Sequence, residues 1–282
     1  MKKPEKKKKV FSMEFFPPKT EEGVVKLGRT RDELAALGPE YFSVTFGAGG
    51  STQQGTMETV FSLKDAGYEV APHLSCIGST RSEVLHLLKT YMDKGIDRIV
   101  ALRGDLPSGM GVGIGDFRYA NELVQFIREE TGDHFYIEVA AYPEIHPQAT
   151  DAESDLDNFA GKVKAGADSA ITQYFYNADA YFRFIDECAE RGVQVPIVPG
   201  IMPITNYEQL ARFSDTCGAE IPRWLRKRLE GYGSDLELLR KFGIDVTTDL
   251  CQRLLDGGAP GLHFFTMNQV APTTAIWKAL GI

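Results

Sequence analysis

The chain has 282 residues, of which 43% are hydrophobic and 25% are charged, and its formal net charge is -8. This composition is typical of an ordinary globular protein and excludes collagen, coiled-coil and largely disordered classes. The negative charge argues against a nucleic-acid partner, which needs a basic surface to displace counterions. No apolar run reaches the 18 residues of a membrane-spanning helix, so no membrane partner is expected.

Basic residues concentrate at the start of the chain, in the segment KKPEKKKK. We expect residues 1–9 to form a disordered, solvated tail, because the segment lacks the apolar stretch of a signal peptide. The cysteines lie far apart, without the spacing of a zinc site, and predict free thiols in a reducing, cytoplasmic compartment. They are Cys76, Cys188, Cys217 and Cys251.

Eight short apolar runs rich in β-forming residues follow the tail. They are VFSMEFF (10–16), YFSVTFG (41–47), EVAPHLSC (69–76), RIVALRG (98–104), YIEVAAYP (136–143), SAITQYFY (169–176), PIVPGIMP (196–203) and GLHFFTMN (261–268). Six of the seven distances between successive starts are 27 to 38 residues, the length of one βα unit. The runs are apolar on both faces, as expected when helices cover one side and a packed barrel interior fills the other.

The segments between these runs have helical periodicity and helix-end signals. Thr80 followed by Glu83 predicts a capping box, and Gly95 predicts the end of the same helix. The last gap is 65 residues long and contains three helical patterns, at 207–214, 222–229 and 236–255. We therefore predict an α/β fold, a single eight-stranded (β/α) TIM barrel over 10–282 with a helical elaboration before the last strand. A doubly wound open sheet is the alternative.

Polar side chains collect where the predicted strands end, the edge at which α/β barrels build their sites. They are Glu14, Thr45, His73, Arg103, Asp105, Tyr142, Glu144, His146 and Gln173. Each could be a supporting residue with satisfied hydrogen bonds, but their concentration on one edge favours a site. Glu14 lies among Met13, Phe15 and Phe16, so desolvation favours its protonated form and suits a general acid. The alternative is a buried ion pair with a basic neighbour such as Arg103.

Several familiar site motifs are absent from the sequence. No GxGxxG follows a strand, and no P-loop, GxSxG or HExxH pattern occurs. The glycine-rich segment at 109–115 follows a strand end without opening a helix, and we interpret it as a mobile flap. A bound metal is not required by any residue pattern.

Taken together, eight collinear motifs resemble the methylenetetrahydrofolate reductase family of the bacterial type. They are SMEFFPPK, YFSVTFGAGG, APHLSC, IVALRGDLP, VAAYPEIHP, AITQYFY, PGIMPI and LHFFTMN. The resemblance implies a flavoprotein that binds FAD and uses NADH or NADPH to reduce 5,10-methylenetetrahydrofolate to 5-methyltetrahydrofolate for methionine synthesis. It also implies a cytoplasmic homo-oligomer. Two alternatives are a family member that works without flavin or without NAD(P)H, and a non-catalytic folate-binding subunit.

The resemblance also assigns roles to residues. Glu14 is expected to protonate the bridging nitrogen of the folate, and Asp105 to stabilise the resulting cation beside the flavin. FAD contacts are expected from Thr45, His73, Arg103, Gly104, Asp105, Tyr119, Ala120, Ala140, Tyr142, His146, Asp155, Asn158 and Lys162. Folate contacts are expected from Gln173, Gln209, Phe213 and Gln269. Gln269 stands where the family usually has an arginine that holds the folate carboxylate, which predicts either weaker binding of the folate tail or the use of another basic residue.

Overall fold

A computed structural model describes residues 8–46, 53–104 and 115–282 of the protein. Its strands form one parallel sheet that closes almost completely into a barrel, in the order β7-β6-β5-β4-β3-β2-β1-β9-β8. The elements are β1 (Val10–Phe15), α1 (Glu21–Ala35), β2 (Tyr41–Val44), α2 (Gln53–Asp65), β3 (Val70–Ser75), α3 (Arg81–Asp93), β4 (Arg98–Leu102), α4 (Ala120–Thr131), β5 (Tyr136–Ala141), α5 (Ala152–Lys164), β6 (Ser169–Thr172), α6 (Ala178–Glu190), β7 (Ile197–Val198), β8 (Gly200–Ile201), α7 (Tyr207–Cys217), α8 (Arg223–Tyr232), α9 (Leu236–Asp256), β9 (Gly261–Phe265) and α10 (Ala271–Leu280).

The barrel class agrees with the prediction, but the predicted number of eight strands is wrong by one. The run 196–203 forms two strands, β7 and β8, which flank Pro199. Proline has no N–H to give to a sheet ladder, so pairing is interrupted at this residue. β7 pairs with β6, whereas β8 pairs with β9, and the Pro199 carbonyl accepts a bond from His263 N at 3.0 Å. The split run thus joins the two ends of the sheet.

Side chains alternate between the two faces of the barrel wall, as a strand period of two requires. On β1, Met13 and Phe15 belong to the large apolar core, whereas Ser12 and Glu14 occupy the alternate positions. A second, much smaller apolar cluster contains Tyr41, Ala71, Val100 and Ile171. The expectation of strands apolar on both faces therefore holds for one face only, since buried Ser12, Ser43, Glu138 and His263 make the other face substantially polar.

The helix-end signals read from the sequence are confirmed in α3. Thr80 accepts a bond from Glu83 N, and the Glu83 carboxylate accepts one from Thr80 N at 2.7 Å. Gly95 follows the helix with a φ of +69°, a conformation that is inexpensive only for glycine. Helices α7, α8 and α9 confirm the predicted elaboration before the last strand.

Most of the predicted N-terminal tail lies outside the described residues, which begin at Lys8. Lys8 forms an exposed ion pair with Glu40 at 2.8 Å, and Lys9 Nζ donates to the Leu255 carbonyl at 3.2 Å. The division into a tail at 1–9 and one catalytic domain at 10–282 stays a prediction. Within the described ranges, no helix is both long and apolar enough to cross a membrane.

Candidate active site

Glu14 lies near the carboxyl end of β1, between two histidines from the neighbouring parts of the barrel. Glu14 Oε2 is 3.4 Å from His73 Nε2 on β3 and 3.7 Å from His263 Nε2 on β9. The Glu14 side chain is 16% exposed, whereas His263 is fully buried. This carboxyl group therefore faces both the barrel interior and the edge where a substrate can enter. The structure gives Glu14 two imidazole neighbours instead of the alternative Arg103 ion pair.

His73 is electrically neutral at ordinary pH. Burial lowers the pKa of His73 to about 4, an effect that Glu14 opposes and His263 reinforces. Its Nε2 atom is buried and has no hydrogen-bond partner among the described residues. A buried polar nitrogen without a hydrogen bond costs free energy. This atom is therefore suited to form a hydrogen bond with a bound molecule.

The backbone around Glu14 is fixed by the segment that follows β9. Thr266 Oγ1 donates to the Glu14 carbonyl at 2.6 Å. The Asn268 side chain then pairs with Phe16 as a peptide group would, accepting from Phe16 N at 3.1 Å and donating to Phe16 O at 2.9 Å. Met267 and Asn268 have φ values of +53° and +52°, which asparagine tolerates better than most residues. The first strand is therefore held in place beyond the end of its ladder with β9.

Arg103 and Gly104 follow β4 and lie beside the end of β3. Ser75 Oγ donates to the Arg103 carbonyl at 2.9 Å. The Arg103 guanidinium donates hydrogen bonds to Gln148 Oε1 and to the Gly104 carbonyl. Gly104 has a φ of +86°, and a Cβ atom there would come within 2.0 Å of Ser75 Oγ. Only glycine fits at this position, which allows the chain to turn sharply after the strand.

Strand β5, the loop after it and helix α5 bring together five more residues of the predicted FAD set. The rings of Tyr142 and His146 contact each other edge to face, with centroids 4.5 Å apart. His146 N donates to Asp155 Oδ2 at 2.8 Å, which ties the loop to α5. Lys162, farther along α5, donates to the Ala140 carbonyl. Burial lowers the pKa of Lys162 to about 8, with Asp155 opposing the shift.

The predicted folate residues lie just after β6, on α7 of the elaboration, and after β9. Gln173 lines a small cleft with Tyr142, and the Gln173 carbonyl oxygen Oε1 accepts from Tyr174 N at 3.0 Å. Gln209 and Phe213 are four residues apart on α7, so they share one face of that helix. Gln269 is exposed, and its backbone N donates to Thr266 O at 2.9 Å.

The other predicted contacts are less closely connected to Glu14. Tyr119 caps α4 and is largely exposed, Ala120 begins that helix, and Asn158 is exposed on α5. Thr45 N donates to the Phe15 carbonyl at 2.9 Å, which places Thr45 beside the end of β1. Asp105 and most of the predicted flap, 109–114, lie outside the described residues. Among the described residues, no group of three or more potential metal-binding side chains could hold a metal ion.

Comparison with known proteins decides the family. The family model described as methylenetetrahydrofolate reductase matches residues 1–281. The chain belongs to the methylenetetrahydrofolate reductase family. It is 40% identical to the 5,10-methylenetetrahydrofolate reductases of Salmonella typhimurium and Escherichia coli, over 96% of this chain and 90% of each relative. Its identity to methylenetetrahydrofolate reductase (NADH) 1 of Arabidopsis thaliana is 39%, over 96% of this chain and 48% of the plant protein.

Solved structures agree with this family's barrel. A protein from Clostridium thermocellum, described as binding two copies of 5-methyl-5,6,7,8-tetrahydrofolic acid, is similar with a TM-score of 0.69. Its identity is 19%, over 98% of this chain and 94% of that one. Dihydropteroate synthase from Xanthomonas albilineans gives a TM-score of 0.54 at 12% identity, over 97% of this chain and 92% of that one. At these identities the similarity shows the fold alone.

Sequence reasoning about this reductase-family chain missed His263, Thr266 and Asn268. All three belong to the last predicted run, GLHFFTMN (261–268). In a closed barrel the first and last strands are neighbours, and Glu14 pairs in register with Phe265. The polar residues of GLHFFTMN could therefore have been placed beside Glu14 once closure was assumed.

Proposed function

We propose that the protein is a flavin-dependent methylenetetrahydrofolate reductase, in which bound FAD would supply hydride transfer between NADH or NADPH and the folate. Family membership supports reduction of methylenetetrahydrofolate as the reaction. The observation that carries the residue assignment is the Glu14 carboxyl group, set at the carboxyl edge of the barrel against two imidazoles. The name of the Arabidopsis relative supports NADH as the donor.

The residues of this edge suit FAD. Arg103 and Lys162 supply cations for its two phosphates, and among the described residues the Lys162 ammonium donates one hydrogen bond, to the Ala140 carbonyl. The His73 Nε2 atom, buried and without a partner among the described residues, is available to a polar edge of the bound ring system. Tyr142 and His146 add flat rings whose mutual contact fixes their orientation. The remaining predicted contacts, Thr45, Gly104, Tyr119, Ala120, Ala140, Asp155 and Asn158, belong to this same proposal.

The proton in the folate half-reaction comes from Glu14. Protonation of the bridging nitrogen opens the five-membered ring of the folate and leaves a cation that accepts the hydride. Asp105 is proposed to stabilise that cation through its negative charge. Gln173, Gln209, Phe213 and Gln269 are proposed to orient the pterin, the aromatic ring and the tail of the folate.

Two half-reactions measured separately test this assignment. The purified protein is expected to be yellow, and NADH or NADPH should bleach the flavin without oxygen. Glu14→Gln should retain this bleaching but lose about 10²- to 10⁴-fold in the rate at which methylenetetrahydrofolate reoxidises the flavin. Glu40→Gln, an exposed carboxylate paired with Lys8, is the matched control and should retain both rates. Near-normal folate reduction by Glu14→Gln would show that another residue is the acid.

The same measurements separate the two alternatives. A colourless protein that gains no flavin on incubation with FAD, yet reduces the folate, would be a flavin-free member of the family. A protein that binds 5-methyltetrahydrofolate but shows neither half-reaction would be a folate-binding subunit. The proposal requires both half-reactions in one preparation.

A further inference from the structure

Helix α7, which carries Gln209 and Phe213, has a small buried face. Within the described part of the chain, Leu210 and Ser214 are the buried residues of this helix, and Ser214 is polar. Phe213 is 38% exposed although its side chain is large and apolar. A helix that buries so little apolar surface is held weakly by the hydrophobic effect. Its position therefore depends on the polar contacts that it makes with the barrel.

Tyr174, which follows β6, supplies buried polar contacts to α7. Tyr174 OH lies 3.1 Å from Ser214 Oγ, and Cys217 Sγ donates to the Tyr174 oxygen at 3.4 Å. Tyr174 and Ser214 are both buried. The backbone N of Tyr174 donates to Gln173 Oε1 at 3.0 Å. One residue thus contacts both Gln173, a predicted folate ligand, and the helix that carries two others.

A second contact joins the end of α7 to the loop after β5. Glu144 Oε2 accepts from Glu220 N at 2.8 Å, just beyond the helix. The two segments approach closely here, since a Cβ atom on Gly218 would come within 2.8 Å of Pro147 Cγ. Glu144 Oε1 is buried and has no hydrogen-bond partner among the described residues. Burial of a carboxyl oxygen without a partner costs free energy, so stability alone does not explain Glu144.

These contacts meet at one small cleft, which Glu144, Gln173, Tyr174 and Cys217 line together. We propose that Tyr174 and Glu144 are positioning residues for the folate half-reaction, which hold α7 against the ends of β6 and β5. The proposal rests on the proposed function in one respect, the binding of folate by Gln173 and α7. Neither residue needs to touch the folate. Displacement of α7 lowers the affinity for folate by moving its ligands, and leaves the flavin in place.

Tyr174→Phe is the sharpest test, because it removes one hydroxyl and retains the ring. The methylenetetrahydrofolate concentration that gives half the maximal rate of flavin reoxidation should rise about three- to tenfold, as expected from the loss of one hydrogen bond. The limiting rate of flavin reduction at saturating NADH should be unchanged. Tyr181→Phe is the matched control, because its buried hydroxyl donates to the Ile197 carbonyl at 2.8 Å, on β7. It should retain the wild-type dependence on folate.

Two substitutions of Glu144 test the second contact. Glu144→Ala removes the acceptor of Glu220 N and should raise the same folate concentration by about three- to tenfold. Glu144→Gln retains an oxygen that can accept this bond, so it should restore the wild-type value. The affinity for FAD, measured in parallel by fluorescence titration, should be the same in both variants.

Hydrogen exchange followed by mass spectrometry measures the attachment of α7 directly. The flavin-loaded protein without folate is compared with its Tyr174→Phe and Tyr181→Phe variants. Tyr174→Phe should exchange at least about threefold faster over 207–217 and at the wild-type rate over α10. Tyr181→Phe should leave exchange over 207–217 unchanged.

Unchanged exchange over 207–217 in Tyr174→Phe would overturn the proposal, as would an unchanged dependence on folate. Equal folate defects in Glu144→Gln and Glu144→Ala would reject the assignment of Glu144. So would a loss of FAD affinity as large as the loss for folate, because Glu144 would then act on the cofactor loop. Absence of folate reduction in the wild type would instead reject the proposed function, while hydrogen exchange would still test the attachment of α7. The two failures are therefore distinguishable.

Discussion

Replacement of Glu138 by leucine should destabilise the barrel strongly. The wild-type carboxylate is 2% exposed, pairs with Arg98 at 3.4 Å and accepts two hydroxyl bonds. Leucine would leave Arg98 without its counter-ion, and the hydroxyls of Tyr41 and Ser169 without their acceptor. Loss of one member of a buried pair costs about 3–5 kcal/mol. The Arg98 side chain is 23% exposed and retains some hydration, so we expect the free energy of unfolding to fall by about 3 kcal/mol.

Urea unfolding followed by circular dichroism would measure this loss in Glu138→Leu, Arg98→Met and the double variant. The double variant should recover most of the stability, because apolar residues of similar volume often replace a buried pair without net cost. The exposed pair of Lys64 and Glu69, at 3.1 Å, gives the control. Glu69→Leu should change the free energy of unfolding by less than about 1 kcal/mol.

Two results would refute this reasoning. A loss below about 1 kcal/mol in Glu138→Leu would mean that the carboxylate is not held as an ionised partner of Arg98. A double variant as unstable as the sum of both single variants would mean that the two residues act independently.

Two further predictions concern the edge of the barrel and a helix cap. The affinity for FAD should fall as the pH rises through about 8, by up to about tenfold per pH unit, because Lys162, whose pKa burial lowers to about 8, then loses its charge. Fluorescence titration of the flavin-free protein would measure this slope, and a slope that persists in Lys162→Met would exclude the lysine as its cause. Thr80→Ala should cost about 1 kcal/mol of stability in urea unfolding, because the Glu83 N–H loses its acceptor at the start of α3. A loss within error of zero would mean that water replaces the cap without penalty.

The parts of the fold that depend on local chemistry were predictable from the sequence. Thr80, Glu83 and Gly95 each act within one or two helical turns, so their roles follow from neighbours in the chain. The error at Pro199 was avoidable, since a proline inside an apolar run is a known interruption of a ladder. The run 196–203 therefore forms two strands where the pattern of apolar residues predicts one.

The candidate site was less predictable, because its geometry depends on strands far apart in sequence. The polar edge containing Glu14 and His73 could be found from strand ends alone. The position of His263 beside Glu14 requires barrel closure, and the hydrogen bonds of Glu138 to Tyr41 and Ser169 require the inward face of several strands at once. A single sequence shows how inward-facing and outward-facing residues alternate along each strand. It does not show which residues of different strands lie side by side in the barrel interior. Asp105 lies outside the described residues, and its role stays a prediction.

The pairing of Asn268 with Phe16 joins residues separated by 252 positions. During synthesis, the strand that carries Glu14 is made long before β9, its partner on one side. The nascent chain therefore has an open sheet edge at β1 until β9 is available, and closure of so long a loop is slow. Glu14 is brought into its final geometry only by that pairing. The surroundings of Glu14 are therefore complete only when the barrel closes, and partly made chains carry an exposed first strand.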